Sequence, residues 1–185
     1  MEKQIHDGYV SEYYGQNCFI DVDKKYVVFG HSQIYKFRIY DEQGQLVLEV
    51  KDDKRKMGRF NRNEMSLIIE NRFTPQPGDS SLRKSILTQL NRDKKKLKKI
   101  LNDIEQHKNI IADIKITGSR IYVYPVPVDI TDKERCPVEI YDIDGRKRVK
   151  GFFKRKPALL SEPYAFFYKN NDNDEPQIVK YKIIE

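Results

Sequence analysis

The chain has 185 residues, enough for one well-filled domain; 38% are apolar and 34% charged, a polar balance in which twelve Tyr and nine Phe supply the large units of burial. A net charge of +7 favours anionic partners in general without selecting one. Two cysteines, Cys18 and Cys136, lie far apart without metal-ligand spacing, which excludes a disulfide scaffold, and no run approaches the ~18 apolar residues of a membrane span.

In chain order, residues 1–16 are polar and Tyr-rich, with Tyr9, Val10, Tyr13 and Tyr14 as apolar points, and read as an edge strand or a frayed end. From Cys18 the period becomes two. Residues 18–22 and 26–29 are short apolar strands parted by Asp23-Lys24-Lys25; residues 37–40 run into Asp41, turn at Gly44 and continue through 46–50, a β-hairpin signature. Residues 51–62 form a charged connector, Met65 to Ile69 read as a short strand, and Thr74 to Asp79 end any regular element.

From Ser80 or Ser81 to about Asn109 the period shifts to near 3.6. Leu82, Ile86, Leu90, Leu97, Leu101 and Ile104 fall near one face, predicting one long amphipathic helix capped by Asp79, Ser80 or Ser81, with Lys108 at its negative pole. Its outer face is basic. Lys94, Lys95, Lys96, Lys98 and Lys99 read as a solvated surface or, functionally, as a docking surface for an anionic partner. Asp93, Asp103 and Glu105 dilute that charge and argue against nucleic acid.

The first pattern then recurs. Residues 111–116 and 121–124 are strands parted by Gly118-Ser119, and Val138-Glu139-Ile140-Tyr141-Asp142 repeats the hairpin of Phe37-Arg38-Ile39-Tyr40-Asp41, turning at Gly145. A third copy uses 157–160, 164–167 and 178–184, with Tyr181 at the place of Tyr141, and stops before any turn. The spacing from Tyr141 to Tyr181, roughly forty residues, is the period of a propeller blade.

The order of strand pair, Tyr-Asp-x-x-Gly hairpin, long insert, "DIKITGSRIYV", "VEIYDIDGR" and terminal "IVKYKI" resembles the C-terminal half of bacterial six-bladed β-propellers of the NHL-like kind, from about Cys18 to the end. The resemblance implies a mainly β fold of antiparallel, four-stranded propeller-type blades, about three of them, with one long helical insertion. It implies a single partial propeller domain over 1–185: a blade at 18–50, connector and helical insertion at 51–110, a blade at 111–153 and a last, incomplete blade at 157–185. A full ring would need about twice this length, completed by N-terminal blades or by a second copy. Similar propellers are often exported, so the sequence is read as a soluble protein, cytoplasmic as it stands, or exported if a signal precedes it.

In an antiparallel meander successive turns alternate between the two ends of a sheet. The first and third turns are tight, whereas the second turns and the links between blades are long, so the loop-rich face is the expected working face. The candidates there are His31 and Gln33 between two strands of the first blade, Asp129, Lys133 and Arg135 in the loop 126–137, and Asp172 in the polar loop 170–175. Each has a structural alternative: a turn histidine, or a solvated charge cluster. The 170–175 loop has oxygen donors for Ca²⁺ but not EF-hand spacing, and Asp142 with Asp144 reads as turn chemistry. With no nucleophile elbow, phosphate loop or metal motif, no catalytic residue, cofactor or metal is assigned. The expected function is a non-catalytic binding or scaffold module for a protein or a small anionic ligand. The alternative is part of a propeller hydrolase or lyase whose site is completed by missing blades or a second subunit.

Overall fold

The computed structural model describes residues 16–73, 78, 80–92, 107–132, 135–146, 148–170 and 175–183. Three antiparallel sheets follow one another along the chain. The first holds β1 (Cys18–Val22), β2 (Tyr26–His31), β3 (Lys36–Asp41) and β4 (Leu46–Lys51). The helices α1 (Arg62–Phe73) and α2 (Ser81–Arg92) come next. The second sheet is β5 (Ile111–Thr117), β6 (Arg120–Pro125), β7 (Cys136–Asp142) and β8 (Arg148–Phe153). The third is β9 (Leu159–Ser161), β10 (Tyr164–Asn170) and β11 (Pro176–Lys182). Strands in each sheet lie in sequence order, and no sheet closes on itself among the described residues.

The hairpins form for local reasons. Asp41 Oδ1 accepts the N–H groups of Gln43 (3.0 Å) and Gln45 (2.8 Å), and Gly44 takes φ 76°, where a side chain would be strained. The second hairpin repeats the device: Asp144 Oδ1 accepts the Arg146 N–H at 2.9 Å, and Gly145 sits at φ 71°. Asp142 and Asp144 are therefore turn residues.

The sheets stack face to face, with the second in the middle. Val28, Phe37 and Ile39 of the first meet Ile114, Ile116, Ile121 and Val123 of the second. On the other side, Tyr122, Tyr124, Val138 and Ile140 of the second sheet take Leu160 from the third. Coverage on both faces explains why Ile121, Tyr122, Val123 and Tyr124 are all buried, whereas β1 alternates. The first strands are neighbours, β1 and β2 packing on β5 and β5 on β9.

The two ends of the stack differ as the turn lengths predict. At the tight-turn end the Gly118 N–H donates to the Asp23 carboxylate, and the Tyr122 hydroxyl donates to Glu162 Oε1 at 2.8 Å. At the other end the Ser32 carbonyl accepts the N–H groups of Ile110 (2.7 Å) and Ile111 (3.0 Å), tying the long insert back to the first sheet.

The insert departs from expectation. Met65 to Ile69 lie inside α1, not in a strand, because Asn61 and Glu64 form a capping box: Asn61 Oδ1 accepts the Glu64 N–H (3.0 Å) and Glu64 Oε2 accepts the Asn61 N–H (2.7 Å). Ile68 of α1 is buried with Ala112 and Ile130. The helix expected from Ser80 or Ser81 to about Asn109 is described only in part, and its expected end, residues 107–109, is not helical. The described helical residues end at Arg92, residues 93–106 lie outside the described set, and His107 forms an antiparallel bridge with Arg59. Lys108 does not face a helix pole; its ammonium pairs with the buried Glu64. On α2 the expected apolar stripe is displaced. Leu82 and Ile86 are exposed and Leu87 is buried, since α2 touches its surroundings through α1. No described helix is long and apolar enough to cross a membrane.

Candidate binding cleft

The starts of the first strands converge on a cleft of about 600 Å³ at the loop-rich end. Cys18 and Phe19 come from β1, Asp113 and Lys115 from β5, and Lys156 and Pro157 from the approach to β9. Three sheets thus contribute to one opening. Asp113 reaches it from the irregular start of β5, where the pairing with β6 shifts between Ile111 and Asp113.

Asp113 organises the charges. One oxygen accepts the Ile114 N–H at 2.8 Å, and the other lies 2.8 Å from Lys156 Nζ and 3.8 Å from Lys115 Nζ. Lys115 Nζ is also 3.9 Å from Asp21, whose second oxygen accepts the Ile116 N–H at 2.8 Å. Lys156 is therefore tightly held. Lys115, with two long contacts and a side chain 44% exposed, can turn its ammonium toward a ligand.

Tyr124 stands opposite Asp113 in the β5–β6 register and shares its face of the sheet. Its side chain is almost fully buried, and its hydroxyl has no hydrogen-bond partner among the described residues. Burial pushes that phenol well above the usual tyrosine range, so it stays a neutral donor. Lys156 Nζ lies 6.0 Å from the ring centroid. An unpaired buried hydroxyl costs free energy.

A second polar centre locks the first two sheets together. Tyr35 donates its hydroxyl proton to Glu139, Tyr35 and Tyr141 hydroxyls are 2.7 Å apart, and Arg55 Nη2 is 2.7 Å from Glu139 Oε1. The Arg55 guanidinium also stacks 3.9 Å above the Tyr35 ring. Each of these groups has partners within the chain, which makes the centre a structural lock. A cavity of about 320 Å³ beside it is lined by Gln33, Tyr35, Asp52, Arg55 and Met57. A third polar knot joins α1 to the loop at 126–132: Lys108 Nζ contacts Glu64 and donates to the Val128 carbonyl, and Glu64 accepts the Ile130 N–H at 3.0 Å.

Of the residues expected from sequence, His31, Gln33, Asp129 and Arg135 are among the described ones, and each makes local contacts. His31 ends β2, where its Nδ1 accepts the Gln33 N–H at 3.1 Å, a turn role. Gln33 lines the smaller cavity instead. Asp129 is exposed and caps its own loop, its Oδ1 accepting the Thr131 N–H (2.8 Å) and hydroxyl (2.6 Å), bonds that hold its carboxyl below the usual range. Arg135 stacks on Phe152 at 4.2 Å. Lys133, Asp172, Lys94, Lys95, Lys96, Lys98 and Lys99 lie outside the described residues. Sequence reasoning missed Asp113, Lys115, Lys156 and Tyr124. The available signal was a carboxylate inside an apolar strand, Asp113 between Ala112 and Ile114, which recurs as Glu139 between Val138 and Ile140. Among the described residues no cluster of three or more His, Cys, Asp or Glu could hold a metal ion.

No family model, curated protein or solved structure matches the chain.

Proposed function

We propose that this chain is a non-catalytic binding module in which the three sheets act as propeller-type blades of the NHL-like kind. It holds a small anionic ligand in the cleft where β1, β5 and the approach to β9 converge. The observation that carries this reading is the pair of ammoniums at that opening: Lys115, loosely held, and Lys156, anchored on Asp113. An ammonium can only donate hydrogen bonds, so the pair faces an anion as donors. They suit a single carboxylate or phosphate group, since Asp113 and Asp21 balance the two ammoniums and disfavour a polyanion.

The test is thermal stabilisation by inorganic phosphate and by acetate. A ligand bound only by the folded state adds stability that grows with the logarithm of its concentration, about 2.7 kcal/mol at a hundred times its Kd. Stabilisation that disappears in Lys115→Ala and in Lys156→Ala, with folding retained, supports the reading. Equal melting of parent and variants at every anion concentration refutes it.

A further inference from the structure

The two outermost faces of the three-sheet stack carry exposed apolar residues beside charged ones, Arg38 and Glu49 on the first and Lys180 and Lys182 on the third. On the first sheet the face turned away from the second carries Ile20 (61% exposed), Val22 and Phe29. On the third, the face turned away from the second carries Leu159, Tyr168 and Ile178 (75% exposed). Soluble chains rarely leave such patches bare.

The internal repeat says what kind of surface each one is. In the second sheet Glu139 and Tyr141 point back at the preceding sheet, where they meet Tyr35, while Val138 and Ile140 point forward at the following one. In the first sheet the matching forward positions, Phe37 and Ile39, are packed on the second sheet. Its backward positions, Arg38 and Tyr40, share the uncovered face with Ile20 and Phe29, as the pairings Ile20 with Phe29 and Phe29 with Arg38 require. In the third sheet Tyr181 points back, stacking on Phe167 at 5.5 Å, which in turn meets Phe153 of the second sheet. Ile178, at the place of Val138, is then on the forward face, with the exposed Lys180, lying over the Tyr164 ring, at the place of Ile140. The chain makes the forward-to-backward junction twice and leaves one unused half of it at each end.

We infer that a second copy of this chain covers both halves, head to tail, so that two copies related by a two-fold axis form a ring of six sheets. The occupant follows from continuity with the junctions already made: a forward face is shaped for a backward face, and the backward face present on this molecule is that of its own first sheet. The copy number follows from closure. Rings of such sheets use about four to eight; with three per chain, only two copies fall within that range. The inference does not depend on the cleft having a ligand.

Sedimentation of the purified chain at micromolar concentration tests it. The expected result is a single species of twice the chain mass. Ile20→Glu and Ile178→Glu each place a charge on one half of the junction at an exposed position, so each is expected to give a folded monomer by circular dichroism. An equimolar mixture of the two variants keeps one intact junction, parental Ile178 against parental Ile20, and is expected to regain a dimer. A monomeric parent chain, an open polymer, dimers indifferent to both substitutions, or a mixture that stays monomeric would each overturn the head-to-tail ring.

Discussion

Arg55 and Glu139, 84 positions apart in the chain, meet 2.7 Å apart where the first two sheets join, with the Tyr35 hydroxyl on the other carboxylate oxygen. The Glu139 side chain is 7% exposed and that of Arg55 21%, so the pair is largely shielded from water. Glu139→Ala would leave Arg55 with Asp52 at 3.2 Å and the Tyr35 hydroxyl with that of Tyr141, so the loss is that of the hydrogen bonds to the carboxylate, about 1–3 kcal/mol. Glu139→Gln keeps an acceptor for Tyr35 and is expected to cost less. Urea unfolding of both variants measures the difference, and a Glu139→Ala change near zero would mean the centre contributes nothing net.

The same centre and its neighbours make the fold sensitive to alkali. Burial raises the Tyr141 phenol to about 12, and raises Tyr35, Tyr122 and Tyr124 further. In the unfolded chain these groups lose their protons near ~10. Above that value the folded state binds more protons than the unfolded one, so stability is complete below it and falls as pH rises toward 12 and beyond. Phenolate absorbance in the native chain should show four of the twelve tyrosines titrating only as the protein unfolds. All twelve ionising reversibly at the ordinary value, with the fold intact, would contradict this.

Glu64 serves three partners at once: the Asn61 N–H of its own helix start, the Ile130 N–H and the Lys108 ammonium. Lys108→Met should cost about 3–5 kcal/mol, because it leaves a fully buried carboxylate without its counter-charge. Adding Glu64→Gln removes that charge and retains an acceptor, so the double variant is expected to be more stable than Lys108→Met alone. A double variant less stable than the single one would show that the carboxylate is not held by Lys108.

Gly44 and Gly145 occupy equivalent turns at positive φ, and placing Ala there should cost about 1–2 kcal/mol for the left-handed backbone. Gly145→Ala is expected to cost more. Its Cβ would come within 2.7 Å of Leu48 Cδ1, whereas nothing lies within 4 Å at Gly44. Thermal midpoints of the two variants decide it; equal shifts would mean that Leu48 moves aside freely.

The strands and hairpins are legible in the sequence because their causes are local. A period of two, Asp41 and Asp144 bonding their own turns, and glycines at positive φ all act within a few residues, so the amino-acid pattern alone is enough to place the three sheets along the chain. The segregation of tight and long turns follows from antiparallel geometry. The tertiary structure decides everything that depends on a distant partner. Met65 to Ile69 form a helix because Asn61 and Glu64 cap it and its apolar side meets Ala112 and Ile130. His31, Gln33, Asp129 and Arg135 have in common only their place in long loops, and each is occupied by its own neighbourhood. Asp113 and Glu139 stand out in the sequence as carboxylates inside apolar strands, but no short window shows what offsets their burial, and Glu64 reads as a solvated charge. They are half-buried or buried because cations 43, 84 and 44 positions away, Lys156, Arg55 and Lys108, come to them through the fold, and only that pairing offsets the cost of taking a carboxylate out of water.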